Sequence, residues 1–348
     1  MKSIGATLVV ARRVGVGRKA RQVGTRATTR VAFTSNRTEI TWGVTGVKKI
    51  ADPPIEEQEK VTAYFQSQSS FWNDIYTRKG VYAEIHRNRH ATILEWIESQ
   101  NYPPNTRVLE IGCGAGYMAV ALAQLGLQVH AIDPSEAMVA QAQLHSEEAG
   151  LTDKLSIKVG DTYALAFEDD SFDLVLAVGV IPWLDAPELV MQEMARVTKP
   201  GGCVLLTADN RARLNVWVDP WLNPVLQPLK RQAKKVLKRT GLRQGMSEEI
   251  DSHLYTCRYI DNALINVGLT RTRSLTLGFG PFTLFRQTII PESLGVALHH
   301  RLQLLSERNV PGLRSSGSHY IVLAQKSLSS ISSESSRAAK PVSDALSL

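Results

Sequence analysis

Short apolar runs alternate with amphipathic stretches through the middle of the chain. The runs predict strands at Arg107–Ile111, Gln128–Ile132, Leu155–Val159, Phe172–Val178 and Cys203–Thr207. Apolar residues at helical spacing predict helices at Tyr117–Leu125, from Ser135 to about Glu148, and at Pro187–Val197. Strands that alternate with helices in this way indicate right-handed βαβ units and a mainly parallel sheet. Ligands bind such sheets outside the carboxyl ends of the strands, so we expect the functional site there.

Additional elements are predicted on both sides of this alternating region. Residues 53–100 predict a helical cover that is rich in aromatic side chains, and residues 101–326 predict the main domain. Thr270–Leu277 and His319–Ala324 predict two further strands, with a helix at Leu294–Arg308 between them. Residues 211–246 and 278–317 are interpreted as insertions on the substrate side of the domain.

The two ends of the chain differ from the body in composition. Residues 1–50 carry eleven Lys and Arg residues against the single acid Glu39, and Asp52-Pro53-Pro54 marks the end of this arm. An acid-poor, Arg-rich arm fits an organelle-targeting segment, a basic arm for nucleic acid or lipid, or a disordered extension without function. Residues 327–348 are rich in serine and poor in large apolar side chains, which predicts a disordered tail.

Composition and charge narrow the class of protein. The 348 residues are 43% hydrophobic and 21% charged, as in an ordinary globular protein, and no apolar run is long enough to span a bilayer. The net charge of +7 comes from the basic arm, so the body is not basic and we expect no nucleic-acid partner. Three separated cysteines indicate a reducing compartment. We expect a cytoplasmic protein, or an organellar one if residues 1–50 are a transit peptide.

A glycine-rich loop follows the first predicted strand. Gly112, Gly114 and Gly116 let the backbone turn tightly and approach a ligand at the N-terminus of the following helix. A dinucleotide site would need its third glycine at position 117, where Tyr117 stands. A Walker P-loop would need a Gly-Lys-Ser/Thr sequence, which is absent from the loop.

The loop instead resembles motif I of the class I S-adenosylmethionine-dependent methyltransferases, an acidic residue followed by G-x-G-x-G. Glu110 supplies the acid, and Asp133 ends the second strand, where a carboxylate can accept hydrogen bonds from ribose hydroxyls. Leu165–Val178 and Glu193–Leu206 are similar to two further motifs of this family, with Ala166 and Thr198 departing from the pattern. Four motifs in the right order make the resemblance specific for the cofactor and not for the acceptor.

The resemblance implies the fold, the cofactor and a set of binding residues. It implies an α/β, Rossmann-like doubly wound sheet of seven strands in the order 3-2-1-4-5-7-6, with strand 7 antiparallel. The implied cofactor is S-adenosyl-L-methionine. The residues predicted to bind it are Glu110, Gly112, Cys113, Gly114, Gly116, Asp133, Pro134, Met138, Asp161, Thr162, Val178, Tyr64 and Trp72. Asp161 could equally be a turn residue.

Methyl transfer from a sulfonium needs an aligned nucleophile and needs no metal, and no pair of histidines has ligand spacing. A base helps when the nucleophile is a hydroxyl or an acidic carbon. His86, His90, His253 and His319 are candidates for that base, and His253 and His319 are the two that we retain without assigning a catalytic role.

The acceptor is expected to be a small molecule, lipid-like or planar. The aromatic cover resembles that of the methyltransferases that act on ubiquinone precursors and magnesium protoporphyrin, and residues 217–239 combine tryptophans with a basic helix that could contact a membrane surface. A non-catalytic S-adenosylmethionine-binding protein and a nicotinamide-dependent oxidoreductase are the alternatives. The oligomeric state stays open.

Overall fold

A computed structural model describes residues 55–220, 222–226, 232, 252–285 and 287–328. The predictions for the basic arm, for a targeting segment, for the basic helix within 230–239 and for nearly all of the serine-rich tail lie outside these residues. Ile50–Leu348 forms one compact unit, and the account below concerns that unit alone.

A central sheet carries the domain. Its strands and a separate two-stranded hairpin are β1 (Arg107–Ile111), β2 (Gln128–Asp133), β3 (Leu155–Val159), β4 (Phe172–Ala177), β5 (Thr198–Asp209), β6 (Leu269–Leu277), β7 (Thr283–Leu284), β8 (Gln287–Thr288) and β9 (His319–Lys326). The seven-stranded sheet has the order β3-β2-β1-β4-β5-β9-β6, and β9 runs antiparallel to β5 and β6. This is the predicted order, with β9 in the place of the seventh strand and the β7–β8 hairpin as an insertion.

Helices cover the sheet. They are α1 (Ile55–Ser67), α2 (Ser69–Asp74), α3 (Val81–Glu98), α4 (Tyr117–Gln124), α5 (Glu136–Glu148), α6 (Pro187–Val197), α7 (Leu214–Val218), α8 (Cys257–Asn266) and α9 (Glu292–Glu307). Short 3-10 helices stand at Ile181–Trp183, Pro224–Leu226 and Leu313–Ser315. None of the helices in the described ranges is both long and apolar enough to cross a membrane.

The core lies on both faces of the sheet because neighbouring residues of a strand point in opposite directions. On β1, Val108 belongs to the cluster that holds Trp96 of α3, whereas Leu109 belongs to the cluster that holds Met191 of α6. Both side chains of β1 are fully buried. Burial on both faces explains the continuous apolar run Leu174–Ala177 in the central strand β4, whereas the edge strand β3 alternates buried Leu155 and Ile157 with the more exposed Ser156 and Lys158.

The start of β5 differs from the prediction. The sequence predicts a turn at 199–202 and a strand from Cys203, but strand pairing already begins with Phe172 opposite Thr198 and resumes with Leu174 opposite Cys203. The residues between these two pairs therefore form an irregular bulge inside the strand. Gly201 adopts a φ of 79°, which permits the local reversal that the Lys-Pro-Gly-Gly sequence suggested.

The N-terminal helices are tied to the sheet helices beneath them. The Tyr117 hydroxyl donates to the Asn73 carbonyl at 2.6 Å, which joins α4 to α2. The Gln66 side-chain oxygen accepts from the Ser135 hydroxyl at 2.8 Å, at the start of α5. Ser135 also accepts from the Met138 amide and caps α5, so this helix begins at Glu136.

Candidate functional site

One cavity of about 260 Å³ lies where the sheet strands end and the N-terminal helices cover them. It is lined by the glycine loop after β1, by the ends of β2, β4 and β5, by the start of β9, and by side chains of α1 to α3. The parallel strands deliver their carboxyl ends to this edge, which is where the sequence predicted the site. The cavity therefore joins the predicted cofactor loop to residues from the insertions.

The glycine loop adopts backbone angles that favour glycine. Gly112, Gly114 and Gly116 have φ angles of 64°, 53° and 80°. A Cβ on Gly112 would lie 2.5 Å from the Val180 side chain, and one on Gly116 would lie 2.7 Å from the Ala142 Cβ. Around a Cβ on Gly114, by contrast, no atom lies within 4 Å, and Gly114 lines the cavity. The loop is thus packed on its outer positions and open at its centre.

Asp133 fixes this loop against β2. Its Oδ2 accepts from the Gly114 amide at 2.9 Å, and its Oδ1 accepts from the Ser135 amide at 2.9 Å. Burial raises the pKa of Asp133, and these two backbone hydrogen bonds oppose that rise. A carboxylate offers about four acceptor positions, so the two bonds leave capacity for ligand hydroxyls.

Glu110 stands beneath the loop as a buried acid. Only 2% of its surface is exposed, and its Oε2 has no hydrogen-bond partner among the described residues. Burial, reinforced by the nearby charge of Asp133, raises the pKa of Glu110 to about 8. A pKa above 7 favours the protonated side chain at neutral pH, and its unused oxygen can form a hydrogen bond with a ligand.

Most of the residues predicted to bind the cofactor line the cavity. They are Glu110, Gly112, Cys113, Gly114, Asp133, Pro134, Met138, Thr162, Val178 and Trp72. Gly116, Asp161 and Tyr64 are not among the lining residues. Gly116 packs on α5, and exposed Asp161 accepts from the Tyr163 amide at 2.8 Å, as a turn residue does. Tyr64 stacks on Trp183 with ring centroids 5.8 Å apart.

Aromatic side chains cover the cavity from the helical side. Phe65 packs edge-on against Trp183 at 5.2 Å and lies 5.8 Å from Trp72, all measured between ring centroids. All three side chains line the cavity. The ring centroid of Trp72 also lies 5.9 Å from that of His86 in α3. Tyr64 belongs to the same aromatic cluster behind Trp183 and so has a supporting place in the cover. The cluster forms a partly buried aromatic wall of the cavity.

At the other end of the cavity, a histidine and an aspartate form a pair. His319 Nδ1 lies 3.2 Å from Asp209 Oδ1, and the second oxygen of Asp209 accepts from the Ser252 hydroxyl at 3.0 Å. Burial, together with the charges of Arg89 and Arg213, lowers the pKa of His319 below its ordinary value although Asp209 raises it, so the neutral ring is favoured at pH 7. Burial alone would raise the pKa of Asp209, but its contacts with His319 lower it overall.

The other histidine retained from the sequence lies elsewhere. His253 does not line the cavity, is half-exposed, and approaches Asp185 with Nε2 at 3.4 Å from Oδ1. His86 does line it, but its Nδ1 is held by the Tyr82 carbonyl at 2.9 Å and burial lowers its pKa strongly. His90 packs against Tyr76 and is not a lining residue. The structure therefore separates His319 from the other candidates.

Three charged lining residues are missing from the sequence predictions: Arg89 of α3, Asp209 at the end of β5, and Arg213 after it. Asp209 had a detectable signal, because a carboxylate that ends an apolar strand of a parallel sheet lies at the ligand edge. Arg89 had none, since it stands in a polar stretch of an amphipathic helix.

The cavity fits S-adenosylmethionine. The loop is open at Gly114, which leaves room for a ligand to approach the backbone closely. Glu110 Oε2 has no hydrogen-bond partner among the described residues and can bond to a ligand. The Asp133 carboxylate can accept further hydrogen bonds from ligand hydroxyls. Thr162 and Met138 form a buried wall of the cavity, against which the adenine of the cofactor can lie. No group of three or more metal-ligating side chains occurs within the described ranges.

Comparisons with known proteins agree with this geometry. Residues 109–206 match the model of the family described as "Methyltransferase domain". A ubiquinone biosynthesis O-methyltransferase from Xanthomonas axonopodis pv. citri is 35% identical over 119 residues, which cover 34% of this chain and 49% of that protein. Its counterpart from Paraburkholderia phymatum is 36% identical over 118 residues, covering 34% and 50%. The chain thus spans about half the length of the curated relatives that it matches.

Solved structures share the fold. The magnesium protoporphyrin IX methyltransferase of Synechocystis PCC 6803 with bound SAH aligns with a TM-score of 0.52 at 18% identity, covering 78% of this chain and 100% of that chain. The cyclase SpnF aligns with a TM-score of 0.50 at 16% identity, covering 78% and 96%. At these identities the structural likeness concerns the fold alone.

Three of the predictions are confirmed by these findings at the level of the domain: the family resemblance, the cofactor and the fold. The methyltransferase-domain match and the curated relatives confirm the resemblance to class I S-adenosylmethionine-dependent methyltransferases, and with it S-adenosylmethionine as the cofactor that the family implies. The observed strand order and the fold neighbours confirm the Rossmann-like seven-stranded sheet.

Proposed function

We propose that this protein is a methyltransferase that transfers the methyl group of S-adenosylmethionine to an O, N or C nucleophile of a small, lipid-like or planar acceptor. One observation carries the proposal: the loop residues Gly112 to Ala115 and the His319–Asp209 pair line a single cavity. A cofactor site alone would support only binding. A neutral histidine held by a carboxylate in the same cavity supports a reaction.

The chain's own residues have distinct tasks in this proposal. Asp133 would hold the ribose hydroxyls, the backbone at Gly114 would lie against the cofactor, and Thr162 and Met138 would flank the adenine. The bound cofactor supplies an electrophilic methyl group on a sulfonium. The protein's contribution is to align the acceptor with that group and to keep water out. The aromatic cover of Phe65, Trp72 and Trp183 serves the second task.

His319 is the proposed general base. Because Asp209 lies beside Nδ1, the ring carries its proton there and leaves Nε2 as the acceptor nitrogen. A neutral ring is needed to take a proton, and burial keeps the pKa of His319 below its ordinary value. An acceptor hydroxyl or acidic C–H placed against Nε2 would lose its proton to His319 as the methyl group is transferred.

Exposed apolar side chains beside the acceptor end support a lipid-like acceptor. Trp217, Val218 and Phe285 are 61%, 49% and 60% exposed. Asp219 joins their two segments, accepting from the Thr283 hydroxyl at 2.6 Å and from the Phe285 amide at 2.9 Å. Arg213 and Pro281, which line the cavity, stand only a few residues before these side chains. We infer that this surface binds the membrane or micelle that contains the acceptor.

The test of the cofactor site is calorimetric titration of the full chain with S-adenosylhomocysteine and, separately, with NADH. We expect S-adenosylhomocysteine to bind and NADH not to bind. Asp133→Ala should weaken binding by roughly 1.5–3 kcal/mol, as the loss of a charge-assisted hydrogen bond does. Asp161→Ala is the matched control, since Asp161 does not line the cavity. Binding of NADH alone would overturn the proposal in favour of an oxidoreductase.

The test of catalysis is release of S-adenosylhomocysteine from S-adenosylmethionine in the presence of candidate acceptors. Intermediates of ubiquinone biosynthesis and magnesium protoporphyrin IX come first, because the similar proteins named above are a ubiquinone biosynthesis O-methyltransferase and a magnesium protoporphyrin IX methyltransferase. Tight cofactor binding without turnover on any acceptor would favour a non-catalytic binding protein.

A further inference from the structure

We propose that Ser252 is a positioning residue for the proposed base: its hydroxyl holds the Asp209 carboxylate so that the other carboxylate oxygen keeps the proton of His319 on Nδ1. The three side chains form one relay, Ser252–Asp209–His319, which leads from the segment before α8 to the cavity. This inference rests on the proposed function, because the relay acts on the base of the same cavity.

The two oxygens of Asp209 have different partners. Oδ1 lies 3.2 Å from His319 Nδ1, and Oδ2 accepts from the Ser252 hydroxyl at 3.0 Å. The terminal torsion of an aspartate has broad minima, so a carboxylate with one partner can turn about its Cβ–Cγ bond. A second partner on the opposite oxygen restricts that rotation. Ser252 therefore determines the orientation in which Oδ1 meets the histidine ring.

The relay also determines which group carries the proton. Burial alone would raise the pKa of Asp209, but the contacts with His319, the charge of Arg213 and the hydrogen bond from Ser252 lower it overall. A hydrogen bond donated to the charged form of an acid favours that form. Asp209 thus stays an ionised carboxylate, which only accepts hydrogen bonds, and the neutral His319 ring has to carry its proton on Nδ1. Nε2 is then the nitrogen that can take a proton.

This arrangement matters in the proton-transfer step of the proposed reaction. As the new O–CH3 bond forms and the S–CH3 bond of S-adenosylmethionine breaks, the proton of an acceptor hydroxyl passes to His319 Nε2. The ring then carries a proton on both nitrogens and a positive charge, which the Asp209 carboxylate stabilises until solvent takes the proton. Ser252 acts on this step through Asp209 and does not need to touch the acceptor.

Backbone hydrogen bonds hold the segment of Ser252 in place without its hydroxyl. The Tyr255 amide donates to the Asp209 carbonyl at 2.8 Å, and the Tyr255 carbonyl accepts from the Arg211 amide at 2.8 Å. Asn210 and Tyr255 form a bridge between the two stretches of chain. Removal of the Ser252 hydroxyl should therefore leave the fold of this segment intact and free the Asp209 side chain alone.

The first readout is the tautomer of His319, measured by ¹⁵N NMR of the full chain with labelled histidine and bound S-adenosylhomocysteine. His319→Gln assigns the signal, and we expect the Nδ1–H tautomer in the wild type. Ser252→Ala should shift the population towards Nε2–H, and Ser252→Thr, which keeps a hydroxyl, should restore it. Ser306→Ala is the matched control, since it removes a buried serine hydroxyl that donates to the Leu313 carbonyl outside the cavity.

The second readout is the rate of S-adenosylhomocysteine release with the intermediates of ubiquinone biosynthesis as acceptors. Ser252→Ala should lower kcat about tenfold, which corresponds to the usual net contribution of one hydrogen bond. The KM for S-adenosylmethionine should stay within about twofold and Tm close to that of the wild type, because the residue acts on the chemical step. Ser252→Thr should recover most of the lost kcat.

The outcomes separate this inference from the proposed function. A His319 tautomer that Ser252→Ala leaves unchanged would overturn the relay, whether or not an acceptor is turned over. A fall in kcat that comes with equal losses of S-adenosylhomocysteine affinity and Tm would make Ser252 a structural residue only. If the tautomer responds to Ser252→Ala but His319→Gln keeps the wild-type kcat, the relay stands and the proposed base is wrong.

Discussion

His319, the first residue of β9, is the antiparallel partner of Asp209, the last residue of β5, and their side chains meet at 3.2 Å between Nδ1 and Oδ1. Sheet pairing itself therefore brings the proposed base to its carboxylate. The strand β5 ends and the strand β9 begins at the cavity, so the pair is held by the sheet and not by a loop.

Replacement of the proposed base is the most direct prediction. His319→Gln should lower kcat by about 10²- to 10⁴-fold, the usual contribution of a general base. The affinity for S-adenosylhomocysteine should stay within about twofold, since a base at the acceptor end contributes mainly to the chemical step. Steady-state kinetics and calorimetry measure the two quantities. His253→Gln serves as the control and should leave kcat unchanged, and equal losses in both variants would argue against His319 as the base.

The dependence of kcat on pH follows from the pKa of His319. The base works when it is neutral, so kcat should rise with pH through that pKa, which burial places below 6.5. Asp209→Asn removes the carboxylate that raises the pKa, so the acid limb should move to still lower pH while the plateau of kcat falls. A profile of kcat from pH 4.5 to 9, values that span roughly two units around the ordinary histidine pKa, measures both effects. An acid limb that Asp209→Asn does not move would contradict the pairing.

Two glycines of the loop should respond differently to the same substitution. Gly114→Ala and Gly116→Ala each place a side chain at positive φ, which costs about 1–2 kcal/mol. Gly116→Ala also brings a Cβ to 2.7 Å from the Ala142 Cβ, and such overpacking adds about 1–3 kcal/mol. We expect Gly116→Ala to show the larger fall in Tm. Gly114→Ala should show the smaller fall in Tm but a loss of affinity for S-adenosylhomocysteine. A larger fall in Tm for Gly114→Ala than for Gly116→Ala would refute this description of the loop.

Glu110 should make the stability of the unliganded protein depend on pH. Its folded pKa, about 8, lies above the ordinary value of 4.5. The stability it contributes is therefore fully present below pH 4.5, declines as pH rises, and is lost above about 8. Relative to Glu110→Gln, the wild-type free energy of unfolding should fall over this window by an amount on the order of a few kcal/mol. Urea unfolding of both proteins at several pH values measures it, and parallel stability curves would show that Glu110 is not buried as a neutral acid.

The local elements followed from the sequence because their causes are local. The strand Arg107–Ile111 and the helix Pro187–Val197 lie where apolar periodicity and flanking residues placed them. Gly112, Gly114 and Asp133 form one ligand loop because the backbone of a tight turn and the end of the next strand are close in any parallel βαβ unit. A short-range pattern of this kind identifies a cofactor class.

The acceptor end was decided by tertiary structure. Arg89 and Arg213 stand on a covering helix and after β5, and no pattern in either segment refers to the other. His319 and His253 were equivalent in sequence, and the antiparallel register of β9 on β5 put only His319 against Asp209 in the cavity. Likewise, burial raises the pKa of Glu110, and the sequence alone does not show that burial. Charge, pKa and access depend on which distant segments pack together, and this packing is set by the whole sheet.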